Sequence, residues 1–439
     1  MTPRYDAIVV GGGVAGSTAA ILLAAAGWSV ALVEKKTFPR RKVCGECVAA
    51  PNLALLDALG VGSEFARIAG PPLTRVGLYV GEESLCADLP PFGGAGAHWA
   101  RALGRERLDA LLLARAARLG VAIRQPCTVD AIERRASLYA CRLRVERREV
   151  GHIEAPVLIA AHGSWEPQAW DQRGGKRARP SDLVAFKANF RGAALEPGLL
   201  PVLAFRGGYG GMVVADGGVL TLACCVRRET LREWRAAAPT AGDGGSAANA
   251  GRDLSPTASA GDAVQAGLAA RCKGVRLALA GAQREGAWLS VAPVRPGTRA
   301  RWSERTGFAV GNAAGEAHPI LGEGISMAMQ SSWLLCRHLI RQRHELLGGA
   351  AQQAVARAYE RDWRRTFAAR VRWAGVLAQL AMRPQHARVL LPFLRAAPSL
   401  LTVAARLGGK ARAFDERPEL ERARTMVAAT VPRLGDKDA

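Results

Sequence analysis

The sequence predicts an α/β protein: a parallel-sheet domain that opens on a βαβ unit, an antiparallel sheet inserted into it, and a helical C-terminal part. Three observations predict this. Residues 5–10, YDAIVV, are a short apolar run that reads as a buried strand. GGGVAG follows, and then a strand-like SVALVE at 29–34 after an alanine- and leucine-rich helix. From 181 to 231 the pattern is again strand-like, while residues from 324 onward are mainly helical in pattern.

The elements can be justified in order. The first helix runs to about Ala26, and Gly27 stands where a helix C-cap belongs. Residues 101–120 form a helix with Leu108, Leu111, Leu112 and Leu119 on one side. Residues 121–160 alternate in short strands, of which PVLIAA at 156–161 is the most buried. FKANF, VLAF, GGMVVA and VLTLACCV then supply the inserted sheet. Residues 237–266 are rich in Ala, Gly, Ser, Thr, Pro and Asp and read as a mobile surface loop. Strand pattern returns over 287–311.

Composition narrows the function classes. The chain has 439 residues, of which 49% are hydrophobic and 22% charged, enough for a large buried core. Its formal charge is +22, which suits acidic carrier domains, anionic surfaces or anionic substrates. The arginines are spread along the chain without an aromatic-interleaved patch, which argues against nucleic acid. Nine cysteines without regular spacing or a secretory signal point to a reducing cytosol. Residues 7–33 carry no charge, but Gly11, Gly12, Gly13, Gly16 and Gly27 suit strand, turn and helix rather than one membrane span. No metal-ligand spacing is found: Cys44-x-x-Cys47 has no second Cys/His pair, and reads as one active-site cysteine with a bystander.

Gly11-x-Gly13-x-x-Gly16 lies between a strand and a helix, with Glu34 ending the next strand 23 residues after Gly11. Gly11 permits the tight turn, Gly13 lets a pyrophosphate approach the backbone, and Gly16 lets helix pack on sheet. The helix N-terminus offers N–H groups to phosphates, and Glu34 can accept hydrogen bonds from an unphosphorylated ribose. That suits FAD or NAD. The stretch GNAAGEAHPILGEGIS at 311–326 favours FAD, because a longer dinucleotide needs a second set of contacts late in the chain. Gly311 and Asn312 can reach a ribityl chain. Gly322, Gly324 and the helix start can face the pyrimidine edge of a flavin and stabilise negative charge there. Pro319 is a rigid wall for the ring edge, with His318 beside it. His318 reads either as a general acid or as a hydrogen-bonded histidine in a tight turn. Tyr209 reads as a substrate contact or a core aromatic.

GGGVAG with Glu34, FPRRKVCGE at 38–46, RERLD at 105–109, IAAHGS at 159–164 and GNAAGEAHPILGEGIS together resemble the flavoprotein superfamily of p-hydroxybenzoate hydroxylase, flavin-dependent halogenases and geranylgeranyl reductases. FPRRKVCGE and GEGI are most similar to the geranylgeranyl reductase-like branch. The resemblance implies an α/β (α+β) fold: a Rossmann-like FAD-binding domain of the GR2 type, an inserted antiparallel-sheet substrate domain and a helical C-terminal region. The expected FAD-binding domain is residues 1–70, 100–175 and 287–345. The substrate sheet is 71–99 and 176–286, and the helical region 346–439. By position, Arg105 approaches the FAD pyrophosphate, Val129 meets adenine, and Cys44 lies near the flavin. Ala15, Lys35, Arg41, Gly45, Gly163 and Ile325 complete the expected cofactor contacts. His162 replaces the usual Asp before Gly163, and Asn312 the usual Asp after Gly311.

The implied activity is an FAD-dependent oxidoreductase of a hydrophobic substrate, aromatic, polyketide or isoprenoid-like, with NAD(P)H as electron donor. Two chemistries stay open: hydride transfer to or from a carbon–carbon bond, and aromatic hydroxylation in a secondary-metabolite pathway. The halogenase Trp-x-Trp-x-Ile-Pro stretch is absent. His318, Cys44 and Tyr209 are the catalytic candidates. The substrate is expected to be small, and carrier-tethered or membrane-derived. Residues 337–439 hold 20 Lys/Arg against 9 Asp/Glu. Their apolar segments VLAQLAM and VLLPFL read as a helical cap on the FAD domain or as a basic amphipathic surface.

Overall fold

A computed structural model describes residues 2–93, 98–163, 179–237, 259–346 and 349–405. Its first sheet has six strands in the order Trp302–Ser303, Gly307–Ala309, Val157–Ala160, Ala7–Val10, Val30–Val33 and Ala122–Arg124. All neighbours pair in parallel except the first two. The central strand Ala7–Val10 is continuously apolar because both of its faces are covered. Ala7 and Val9 enter the core beneath the helices, whereas Ile8 and Val10 meet a three-stranded antiparallel sheet of Thr128–Arg135, Leu138–Val145 and Arg148–Ala155. Helix Val14–Ala25 is buried along its whole length between the six-stranded sheet and helices Arg105–Arg118 and Gly324–Arg341. A helix apolar all round fits that position and no surface one.

The inserted sheet has seven strands, in the order Gln283–Val294, Leu183–Arg191, Leu220–Arg227, Gly208–Val214, Leu199–Phe205, Arg75–Val80 and Glu83–Asp88. Alternation decides its two faces. Phe186, Ala188 and Phe190 point to a core with Trp234, Val264 and Leu268 from covering helices. Ala185, Tyr209 and Cys225 point the other way, towards Ala378, Met382 and Leu391 of the C-terminal helices. Those helices are Gly349–Ala381, Pro384–Ala396 and Ser399–Ala405.

Two sequence expectations need correction. The boundary at 287 cuts through the strand Gln283–Val294, which pairs antiparallel with Leu183–Arg191 in the inserted sheet. An apolar strand pattern does not say which sheet receives the strand. The stretch read as a loop over 237–266 already enters helix Ala260–Arg271, where Ser259 caps the Asp262 N–H and Val264 is buried. Alanine-rich composition was a helix signal there. Residues 238–258 of that stretch lie outside the described residues, as do Ser164 and 406–439.

Candidate active site

The first glycine turn is shaped by close contacts. Gly11 has φ +109° and donates its N–H to the Val33 carbonyl at 2.8 Å. A Cβ there would stand 2.6 Å from the Ala161 carbonyl oxygen. At Gly16 a Cβ would stand 1.8 Å from the Gly11 carbonyl oxygen, so helix and turn could not meet. Gly13 differs. Its φ of −73° suits any residue, and a Cβ would meet only the tips of Lys42 (3.4 Å) and Arg105 (3.8 Å). No side chain caps this helix and no acid lies in its first turn. Its N–H groups therefore face a cradle with two cations, the arrangement an anionic phosphate requires.

Those cations are held by one carboxylate. Asp109, fully buried, takes Arg105 in a two-point fork with both distances 3.0 Å, and Lys42 at 2.7 Å. Burial alone would push the Asp109 pKa up, but Arg105 and Lys42 outweigh it and hold the carboxyl below its ordinary range. Burial lowers the Lys42 pKa and Asp109 opposes the shift. Two positive charges against one negative leave the cluster with a surplus of one towards the cavity. Glu34 is fixed nearby, accepting the Gly12 N–H at 2.7 Å and the Lys36 N–H at 2.9 Å. Its oxygens retain further lone pairs for a ribose hydroxyl.

The late glycine stretch returns to the same cavity. Gly311 follows the strand Gly307–Ala309, and its N–H reaches the Ser331 hydroxyl at 2.8 Å. Pro319–Leu321 forms a 3₁₀ turn closed by Gly322 at φ +61°. Gly324 then begins an 18-residue helix, and nothing stands within 4 Å of where its Cβ would be. His318 places Nδ1 3.2 Å from the Tyr209 hydroxyl. Burial lowers the His318 pKa, so its imidazole is neutral near pH 7. Burial raises the Tyr209 pKa, and contact with Cys225 adds to the rise, so the phenol keeps its proton. Gly375 of the long C-terminal helix passes His318, its Cβ position 3.8 Å from the imidazole Cδ2.

A cavity of about 550 Å³ joins these parts. It is lined by Gly11, Gly13, Ala15, Glu34, Lys35, Arg41, Cys44, Gly45, Arg105, Val129 and Gly163 from the first half of the chain. Tyr209, Asn312, His318, Pro319, Gly322, Gly324 and Ile325 line it from the second. Gly16 and Gly311 do not: Gly16 serves helix packing, and a Cβ at Gly311 would meet Ala15 at 2.9 Å. His162 also lines the cavity. Sequence reasoning passed over Lys42, although FPRRKVCGE contains it, because only the fold shows which of three consecutive cations turns to Asp109. It also passed over the apolar wall of Leu200, Val202, Met212 and Ala223, and over Cys224 and Cys225 beside it. Strand residues facing a cavity carry the same pattern as strand residues facing a core.

Cradle, surplus charge, fixed acid and second glycine turn fit a flavin dinucleotide. Residues 4–183 match the FAD binding domain family. The match indicates an FAD-binding domain in that part of the chain. It is 28% identical over 355 residues to conditioned medium factor receptor 1 of Dictyostelium discoideum, a match spanning 78% of this chain and 64% of that protein. It is 44% identical over 63 residues to menaquinone reductase of Mycolicibacterium smegmatis, or 14% of this chain and 15% of that one. Among solved structures, the myxobacterial chondrochloren halogenase CndH superposes with a TM-score of 0.70 at 20% identity, covering 98% of this chain and 97% of that chain. This likeness establishes the fold.

Proposed function

We propose that the protein is an FAD-dependent oxidoreductase that reduces a carbon–carbon double bond of a hydrophobic substrate, or runs the reverse reaction, with NAD(P)H as electron donor. The observation that carries this reading is the Tyr209–His318 pair, 3.2 Å apart, in the same cavity as the Gly13 cradle. Bound FAD supplies the two-electron exchange with the substrate carbon. Lys42, Arg105 and the helix N-terminus at Val14 would hold its phosphates, and Glu34 a ribose. Asn312 and the Gly322–Gly324 turn would serve the flavin end, with Cys44 and Pro319 also lining the cavity.

Reducing a double bond requires a proton at the neighbouring carbon. The Tyr209 phenol keeps its proton because it is buried, and it is the proton-bearing group that faces the cavity. Neutral His318, only half-buried, returns a proton to Tyr209 from solvent. Leu200, Val202 and Met212 present an apolar wall that suits an aromatic or isoprenoid-like substrate and excludes water. The local match to menaquinone reductase supports the reductase direction.

The test is anaerobic mixing of the FAD-loaded protein with NADPH or NADH, followed by a panel of polyene, quinone and aromatic compounds. Flavin absorbance should bleach with the donor and return when an unsaturated substrate is added without oxygen. Reoxidation only in air, with one hydroxylated product per oxygen consumed, would reassign the site to hydroxylation.

A further inference from the structure

Residues 363–405 contain seven arginines and no aspartate or glutamate. Arg364, Arg365, Arg372, Arg383, Arg388 and Arg395 are exposed. The same helices leave large apolar side chains in water. On Gly349–Ala381, Trp373 is 56% exposed, with Val376 and Leu380 at helical spacing on the same side. On Pro384–Ala396, Val389 and Phe393 are 67% and 66% exposed, one turn apart. Leu400 and Val403 continue the series on Ser399–Ala405. The opposite side of the long helix is spent on the protein, where Ala374, Ala378 and Ala381 are buried and Gly375 reaches His318. Packing against the domain therefore accounts for one face of the cap and leaves the other unexplained.

We propose that this outer face docks the protein on an anionic lipid surface, with Trp373 and Phe393 entering the headgroup boundary and the arginines meeting lipid phosphates. Charge complementarity selects this occupant. Arg364 pairs with Glu360 and Arg395 with Glu83, but Arg372, Arg383 and Arg388 leave a net positive field, and beside aromatic and aliphatic side chains it matches a negative apolar boundary. A second copy of the chain would bring like charges together. Residues 406–439 are themselves net basic, with eight Lys/Arg and six Asp/Glu, and so bring no net negative charge. No described helix is long and apolar enough to cross a membrane, so the contact is with the surface. Because the docking helix passes His318, a lipid-dissolved substrate would meet the protein beside its cavity.

The proposal is tested by sedimenting the full-length, FAD-loaded protein with vesicles of phosphatidylcholine alone, and with about 30 mol% phosphatidylglycerol. Binding is expected to the anionic vesicles and to weaken in high salt. Trp373→Glu with Phe393→Glu, and separately Arg372→Gln with Arg383→Gln and Arg388→Gln, should each weaken it at least about tenfold. FAD content and thermal unfolding should stay at the parent values, which shows that the variants fold. Failure of the parent to bind anionic vesicles would overturn the proposal. So would equal binding by the variants, or a dimer in solution that the same substitutions dissociate. Sedimentation does not depend on turnover, so this result stands apart from the proposed redox reaction.

Discussion

Two lysine–carboxylate clusters adjoin at Arg105 and differ in what surrounds them. Lys187 and Glu46 are sealed, each almost without exposure, and join the inserted sheet to the loop after Cys44. Glu46 also accepts the Thr221 hydroxyl at 2.5 Å and the Arg105 N–H at 2.9 Å, so its charge is balanced and its lone pairs are used. Lys42, Arg105 and Asp109 also meet below the surface, but two cations share one acid and their tips border an open cradle over Gly13. The difference teaches how to separate a structural ion pair from a ligand site. The first closes its own account; the second keeps positive charge for something the chain itself does not contain.

Breaking the sealed pair should have the largest effect. Lys187→Met leaves Glu46 buried with an uncompensated charge, and should cost about 3–5 kcal/mol of stability in urea unfolding. Lys42→Met sharpens the contrast. The Arg105–Asp109 fork survives, so stability should move by less than about 1 kcal/mol, while FAD affinity should fall roughly 10- to 100-fold by fluorescence titration. Tyr209→Phe removes the proton donor without emptying the core. It should lower turnover of a double-bond substrate by about 100-fold while leaving flavin binding unchanged.

The smallest effect is in pH dependence. Burial lowers the His318 pKa in the fold, so as pH falls the unfolded chain takes up this proton first. Stability from neutral His318 is complete above the ordinary histidine range and declines as pH drops through and below it. The acid limb of turnover should lie below pH ~6.5, and His318→Gln should remove that limb from the rate profile.

The cofactor side was legible because its chemistry rests on backbone geometry, and glycine is the residue that reports it. Gly11, Gly13, Glu34, Gly322 and Gly324 all reach the cavity that their spacing implied. A Cβ at Gly13 would meet only the tips of Lys42 and Arg105, whereas one at Gly16 would collide with the Gly11 carbonyl. The substrate side was not legible. Leu200, Val202 and Met212 look like any buried strand residues, and only strand pairing turns them towards the cavity. Lys42 was hidden among Arg40 and Arg41. The pairing of His318 with Tyr209, 109 residues apart, is a product of topology that no local pattern carries.

Gly13→Val tests the central claim most directly. Its backbone conformation accepts valine, and the added Cβ would meet only the tips of Lys42 and Arg105. The account predicts a folded protein with parental thermal unfolding and FAD affinity weakened at least about 100-fold in titration. A parent protein that binds no FAD, or a Gly13→Val variant that binds it as tightly as the parent, would contradict the assignment of this cavity to the flavin.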